Sequence, residues 1–193
     1  MGFKLKAGLP FFVFLFMLWL TGSLPAYLPI FSAAVLHEVG HLVLMRACGV
    51  GVEGITLLPF GVDLQAKATL TSYTSDVLIS LGGIAANLCG MGVCALLPSG
   101  RGVEAFFSAN LALALLNALP IRGLDGGYAL EKTLLKVCSP KAASGAVTAT
   151  SFLFLVAVGS VAVWIFFRTG YNFTLFMMCV YVFCGVYLRG KNQ

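Results

Sequence analysis

Two histidines and a carboxylate stand together in an otherwise apolar stretch of this chain. His37, Glu38 and His41 form the pattern His-Glu-x-x-His, and the sequence contains only these two histidines. On an α-helix of about 3.6 residues per turn, both imidazoles lie on one face and can bind one metal ion. Glu38 lies beside them, where a carboxylate can take a proton from water at a metal such as zinc. The pattern predicts a hydrolytic zinc site.

The composition of the whole chain is that of a membrane protein. Of its 193 residues, 60 % are hydrophobic and 10 % are charged, and the mean hydropathy is +0.98. Soluble globular domains do not have this composition. Between Ala7 and Met45 the only formal charge is that of Glu38, and an ionisable group at membrane depth is costly enough to indicate function. We therefore expect an integral membrane protein with a site inside the bilayer.

Charge-free stretches predict about six transmembrane helices in a single membrane-embedded domain, residues 1–193. The first stretch is too long for one span of about 20 residues. Residues 21–25 and Pro29 favour a turn within it, which predicts one helix near residues 8–22 and another near 28–47. The remaining predicted spans are residues 77–100, 105–121, 142–167 and 169–188. The predicted class is an all-α integral membrane protein.

The first apolar segment has a second interpretation. Lys4 and Lys6 precede a short apolar core, and residues 24–26 could end a cleaved signal peptide. Whether this segment is retained stays open, because the apolar core continues almost unbroken into the next helix. Cleavage would leave the helix that carries the histidines in place.

Basic residues are distributed unevenly across the predicted topology. Six spans place ten Lys and Arg residues on the side of the two termini and two on the other side. This bias predicts that both termini are cytoplasmic. It also explains the net charge of +5 without a nucleic-acid partner. The ten are Lys4, Lys6, Arg46, Lys67, Arg122, Lys132, Lys136, Lys141, Arg189 and Lys191, and the two are Arg101 and Arg168.

Small residues between positions 80 and 92 predict close packing of the third span against the histidine helix.

A zinc hydrolase usually takes three protein ligands and leaves a fourth position for water, so a third ligand is needed. Asp125 is the better candidate, because Pro120 and three nearby glycines let the backbone fold towards a neighbouring helix. Asp63 is an alternative, whereas Asp76 stands where an acidic residue commonly begins a helix. The other non-motif acids are Glu53, Glu104 and Glu131.

Two motifs in this chain resemble those of the site-2 protease family of intramembrane zinc metalloproteases. The first motif of that family, H-E-x-x-H, falls on the second predicted span. The second motif, N-x-x-P-x-x-x-L-D-G, falls on the fourth span and its end, as in the family. The residues that carry the resemblance are His37, Glu38, His41, Asn117, Pro120, Leu124, Asp125 and Gly126.

The resemblance assigns roles to these residues. It implies that His37, His41 and Asp125 bind zinc and that Glu38 is the general base. Asn117 is a candidate donor to the oxyanion of the reaction, and Asn87 is a weaker one. An interhelical amide contact is the alternative role for each asparagine.

The resemblance also predicts a minimal, sporulation-type member without PDZ or CBS domains. A short membrane-edge β segment is expected after the second helix, around residues 58–61. Residues 54–60, which overlap this segment, are predicted to form an edge strand that pairs with an extended substrate. The alternative is an interfacial loop.

The activity that the two motifs imply is cleavage of a membrane-tethered protein within the lipid bilayer. The resemblance implies a pro-transcription factor as substrate, release of a cytoplasmic factor, and control by a membrane inhibitor or activator protein. The implied location is the bacterial cytoplasmic membrane. Two other classes remain open, namely a zinc transporter or channel and an inactive, protease-like membrane scaffold.

Overall fold

A computed structural model describes residues 4–58, 61–66 and 71–169 of this chain. These residues are mostly helical, and their contacts divide the chain into two compact units, residues 1–116 and 117–193. The single-domain organisation stays a prediction. The helices are α1 (Leu9–Leu20), α2 (Leu24–Ala47), α3 (Tyr73–Ala95), α4 (Arg101–Ala118), α5 (Asp125–Leu134) and α6 (Pro140–Thr169), and the strands are β1 (Lys4–Ala7), β2 (Val52–Leu58) and β3 (Gly61–Ala66).

The helix that carries the histidines starts earlier than predicted. Helix α2 begins at Leu24, with Pro25 in its first turn and Pro29 inside it. A proline in the first turn costs no hydrogen bond, because the backbone N–H there has no helical partner. Pro29 removes one internal hydrogen bond, which apolar membrane helices tolerate. The predicted break at Pro29 is therefore wrong.

Helix α2 ends in a Schellman motif. Gly49 has a φ of 73°, a left-handed conformation that glycine adopts at little cost. Its N–H donates to the carbonyl oxygen of Arg46 at 3.1 Å, and the N–H of Val50 donates to that of Met45 at 2.8 Å. The chain then turns directly into strand β2.

A three-stranded sheet in the first unit has the order β1-β2-β3. Strand β1 pairs with β2 in parallel, and β2 pairs with β3 antiparallel. A β segment therefore follows the second helix, as predicted. The prediction that residues 54–60 offer a free edge is wrong, because β2 is paired on both sides. Pro59 and Phe60 lie outside the described residues.

Helices α2 and α3 approach each other closely. Gly40 and Gly82 face each other, and a Cβ added to either would collide with the backbone of the other. At the start of α3, Ser72 Oγ accepts a hydrogen bond from the N–H of Ser75, and Asp76 lies in the first turn. The predicted packing of the third span against the histidine helix is confirmed.

The second unit contains a helix that was not predicted. The predicted fourth span, residues 105–121, ends three residues early at Ala118. The chain then turns into α5, a short helix that packs against α6. The sixth predicted span, residues 169–188, lies almost wholly outside the described residues.

Within residues 4–58, 61–66 and 71–169, three helices are long and apolar enough to cross a membrane, namely α2, α3 and α6. Large apolar side chains remain exposed along them, including Val35, Leu88 and Trp164. Such surfaces suit contact with lipid. These helices support an integral membrane protein, and the count of six spans stays a prediction.

Candidate metal centre

The two histidines lie on one face of α2, as predicted. His37 is buried, with 6 % of its surface exposed, and His41 is half-buried. Their ring centroids are 4.8 Å apart, and their Nε2 atoms are 3.2 Å apart. The spacing of four residues therefore brings two imidazole nitrogens to a single point.

Helix α3 holds both rings through their other nitrogens. The Nδ1 atom of His41 lies 2.7 Å from the carbonyl oxygen of Ile79, which can only accept, so this Nδ1 carries the hydrogen. The Nδ1 atom of His37 lies 2.6 Å from Oδ1 of Asn87 and donates to it. In a neutral imidazole with Nδ1 protonated, Nε2 bears the lone pair that can bind a metal ion. Two lone pairs then face each other at 3.2 Å.

This pair of nitrogens fits zinc. Two imidazole lone pairs at this distance can bind the same cation. Zn–N bonds of about 2.0–2.1 Å at a tetrahedral angle separate two nitrogens by roughly 3.3 Å. The observed Nε2 separation of 3.2 Å matches that geometry, and the donation of each Nδ1–H to an oxygen is the usual support of a metal-bound histidine.

A glycine of α3 leaves room beside the nitrogens. A Cβ added to Gly83 would lie 2.5 Å from the Nε2 atoms of both His37 and His41. It would also lie 2.5 Å from Cε1 of His37, so a side chain at position 83 would overlap the imidazole rings. The absence of a side chain at Gly83 therefore keeps the centre open.

We expect Gly83→Ala to weaken zinc binding, because its methyl group would push both imidazoles out of their present positions. Overpacking costs about 1–3 kcal/mol, which corresponds to roughly 5- to 150-fold in affinity. Gly92→Ala is the matched control on the same helix, because a Cβ there meets nothing within 4 Å. Zinc affinity can be measured by competition with a chelator in detergent. Equal affinities of the two variants would show that the ion lies elsewhere.

Glu38 follows His37 directly on α2 and is half-buried. Consecutive helical residues are about 100° apart around the axis, so its carboxylate is set to one side of the imidazole pair. This is the placement expected of a base that acts beside the metal and does not bind it.

The second motif lies where α4 ends and α5 begins. Asn117 is in the last turn of α4, and Asp125 is the first residue of α5 and is half-buried. A Cβ on Gly126 or Gly127 would collide with backbone carbonyls of the preceding loop. The two glycines thus allow this loop to fold tightly onto the start of α5. The roles of Asp125 and Asn117 stay predictions from the motif.

Arg122 attaches that loop to α6. Its backbone N–H donates to Oγ of Ser151 at 2.7 Å, and its guanidinium donates to Oγ of Ser144 at 2.7 Å. It also forms an ion pair with Glu131 at 3.8 Å. Glu131, one of the candidate acids, is therefore engaged within its own unit.

The two remaining aspartates lie in the first unit. Thr71 donates to Asp76 in the first turn of α3, so this acid supports a helix start as expected. The side chain of Asp63 lies outside the described residues.

Asn87 does not have the role of oxyanion donor considered for it. Its Nδ2 donates to the carbonyl oxygen of Ala33 at 3.1 Å and to Oδ1 of Asn110 at 2.8 Å, and its Oδ1 faces His37. Both amide hydrogens are therefore used, and Asn87 makes the interhelical amide contact that was its alternative role. Sequence reasoning missed Asn110, which is fully buried. The signal was available, since an amide in an apolar span is costly unless it has partners.

Known proteins similar to this chain include candidate zinc metalloproteases. No protein-family model matches the chain. A candidate zinc metalloprotease of Synechocystis sp. is 28 % identical over 127 residues, which are 62 % of this chain and 33 % of that protein. Rip3, a candidate zinc metalloprotease of Mycobacterium tuberculosis, is 33 % identical over 122 residues, which are 56 % of this chain and 30 % of that protein. The chain thus spans about one third of the length of these curated relatives.

The fold is that of a solved membrane protease. The site-2 protease from Methanocaldococcus jannaschii matches with a TM-score of 0.60 and 21 % identity, over 97 % of this chain and 91 % of that chain. The apolar helices and the imidazole pair define a metal-binding membrane protein. The resemblance to the site-2 protease family is confirmed, because the chain has the fold of a site-2 protease and sequence similarity to zinc metalloprotease candidates.

Proposed function

We propose that this chain is a zinc metalloendopeptidase of the site-2 protease type. It hydrolyses a peptide bond in or near a transmembrane segment of a membrane-tethered protein. The observation that carries this proposal is that the Nε2 atoms of His37 and His41 lie 3.2 Å apart. The Nδ1–H groups of both rings donate to α3, which leaves a lone pair on each Nε2. The test is whether the purified chain, in lipid vesicles, cuts a single-span reporter and loses this ability with Glu38→Gln.

His37, His41 and Asp125 would hold the zinc ion. Two imidazoles and one carboxylate are a donor set known for catalytic zinc, which keeps one position open. When bound, zinc supplies Lewis acidity that polarises the scissile carbonyl and makes water easier to deprotonate. The protein contributes the geometry of the two imidazoles, which α3 fixes before any ligand arrives.

Glu38 accepts the proton of the attacking water and passes it to the leaving amine. Asn117 donates a hydrogen bond to the oxygen that becomes negative as the carbonyl is attacked. Both assignments rest on the two motifs and on the place of Glu38 beside His37. No other described histidine is available for the proton transfer, because the sequence contains only two.

The site lies nearer one end of its helix. His41 is six residues before Ala47, the end of α2, or about 9 Å along the axis at a rise of 1.5 Å per residue. In a six-span topology with both termini cytoplasmic, this end faces the cytoplasm, where water is available. The distribution of basic residues supports that orientation.

The substrate reaches the site by adding a strand to β3. A transmembrane helix protects its peptide bonds, so the segment to be cut must become extended. Because β2 is central, the outer strands of the sheet that the described residues form are β1 and β3. Strand β3 contacts α2, the helix that carries the histidines. Its edge is therefore the one that can guide an extended segment to the metal.

Photo-cross-linking can test this edge. Leu64 of β3 and Ile55 of β2 are partners across the sheet, so the two positions differ by one strand in their distance from the edge of β3. We expect cross-links to the single-span reporter from position 64 and few from position 55, because β2 is paired on both sides and β3, among the described residues, on one. Cross-links from position 55 alone would exclude strand addition at β3.

A pro-transcription factor tethered to the bacterial cytoplasmic membrane is the substrate class that the family resemblance supports. Cleavage would release its cytoplasmic part, and a membrane inhibitor or activator protein would control the reaction. A role in sporulation is part of the same proposal. These assignments rest on the resemblance alone.

A further inference from the structure

We infer that Asn110 of α4 is a positioning residue for the metal centre. It acts through Asn87 and makes His37 present Nε2, and not Nε2–H, to the metal position. This inference rests on the metal site of the proposed function, but the hydrogen bonds that carry it all lie within the first unit. Residues Asn87 and Asn110 are both fully buried, at 0 % exposure.

Hydrogen bonds link Phe106, Asn110, Asn87 and His37 in series. The carbonyl oxygen of Phe106 determines which atom donates in each of them. The Nδ2 atom of Asn110 lies 2.8 Å from the carbonyl oxygen of Phe106. A carbonyl oxygen can only accept, so the NH2 group of Asn110 must point to Phe106. Its Oδ1 therefore points to Asn87, and this oxygen accepts the hydrogen bond between the two amides.

The same logic passes from Asn87 to the histidine. The acceptor Oδ1 of Asn110 lies 2.8 Å from Nδ2 of Asn87, which also donates to the carbonyl oxygen of Ala33 at 3.1 Å. With both hydrogens of Asn87 used, its Oδ1 must face His37 at 2.6 Å. His37 Nδ1 must then be the donor, which leaves Nε2 with a lone pair.

Asn110 removes an alternative that the pocket would otherwise permit. An asparagine side chain can rotate by 180° and exchange its oxygen and nitrogen. A flipped Asn87 would donate to Nδ1 of His37, move the hydrogen to Nε2 and block the metal position. The flip would also set its oxygen against Oδ1 of Asn110 and the oxygen of Ala33. Two independent acceptors therefore oppose the flip, and Asn110 supplies one of them from a third helix.

The packing of α3 makes room for this contact. A Cβ added to Gly90, three residues after Asn87, would lie 2.9 Å from Oδ1 of Asn110 and 2.6 Å from Leu36. The small residue at position 90 lets the buried amide of α4 come close to α3. The network thus links α4, α3 and α2 at the depth of the imidazole pair.

The test uses Asn110→Ser, which breaks the contact with Asn87 without disturbing α4. A serine hydroxyl donates to the carbonyl four residues earlier, as Ser108 does to Glu104 at 2.8 Å, but it is too short to replace the amide. Asn110→Asp is the conservative rescue, because burial favours the protonated carboxyl group, whose O–H can donate to Phe106 while its other oxygen accepts from Asn87. Ser108→Ala, on an exposed position of the same helix, is the control.

The first readout is the tautomer of each histidine in the full-length, zinc-free protein, from 15N NMR of the imidazole nitrogens. Only two histidines contribute signals. We expect Asn110→Ser to give His37 a substantial Nε2–H population and to leave His41 unchanged, because Ile79 still holds it. Asn110→Asp and Ser108→Ala should keep both residues in the Nδ1–H form.

The second readout is zinc affinity, measured by chelator competition. Loss of a residue that supports a metal ligand weakens binding by about 10- to 100-fold, and we expect about tenfold for Asn110→Ser with recovery in Asn110→Asp. An unchanged His37 tautomer in Asn110→Ser, or equal changes at both histidines, would overturn the inference. The NMR result needs neither zinc nor proteolysis, so its failure would leave the proposed protease function standing.

Discussion

Glu38→Gln should abolish cleavage of a single-span reporter and leave zinc bound. The change keeps the size of the side chain and removes the only carboxylate next to the imidazole pair on α2. Loss of a general base lowers the rate by roughly 100- to 10,000-fold. The measurement is the cleavage rate in vesicles, together with the zinc content of the same preparation.

Glu53→Gln is the control for this prediction. Glu53 is exposed on β2, so removing its charge should change neither cleavage nor zinc content. A Glu38→Gln variant that still cuts the reporter at the wild-type rate would exclude Glu38 as the base. A variant that moves zinc into vesicles, in a chain that never cuts a reporter, would instead favour a zinc transporter.

The imidazole pair could be predicted from sequence because it depends on local geometry. Four residues along a helix always bring two side chains to the same face, so His37 and His41 needed no knowledge of the fold. The apolar runs located the helices for a similar reason, since length and hydropathy decide which segments can span a bilayer.

The start of α2 was mispredicted because a local rule was overridden. Proline favours a turn over a helix in water, because water can hydrogen-bond to the carbonyl group that the proline leaves without an N–H partner. In an apolar segment the alternative is an unsatisfied backbone, so the helix continues through Pro29. The same preference carries α2 back to Leu24.

The sheet could be predicted only in part. The family resemblance predicted a β segment after α2, but the partner strand β1 is formed by Lys4–Ala7, far away in the sequence. Pairing between distant strands depends on the fold around them, and strand propensity does not specify it. This is why the sequence indicated an edge strand at the place where the structure has a central one.

The amide network was outside the reach of motif reasoning. Asn87 was noticed, but its role could not be assigned because an amide side chain can donate and accept. Only the positions of the Phe106 and Ala33 carbonyls decide which way it points. Asn110 carries no motif, and burial in an apolar helix is the single sequence feature that marks it.

Asp125→Ala should remove most of the zinc from the purified chain. Structural zinc binds with about 10–16 kcal/mol in total, so one of four ligands accounts for roughly 2.5–4 kcal/mol. That loss corresponds to roughly 70- to 900-fold in affinity. The fold should survive the change, because Arg122 and the glycines after position 125 hold the loop independently of the carboxylate.

Asp63→Ala is the decisive comparison, because Asp63 is the other acid that the sequence offers as a third ligand. If Asp125 completes the centre, zinc content falls in Asp125→Ala and stays near the wild-type value in Asp63→Ala, when both are purified in the same detergent. The reverse result would move the third ligand to β3 and leave the second motif with a structural role. His37 and His41 would keep their place in either case, because the hydrogen bonds that hold them come from α3 and, through Asn87, from Asn110 of α4.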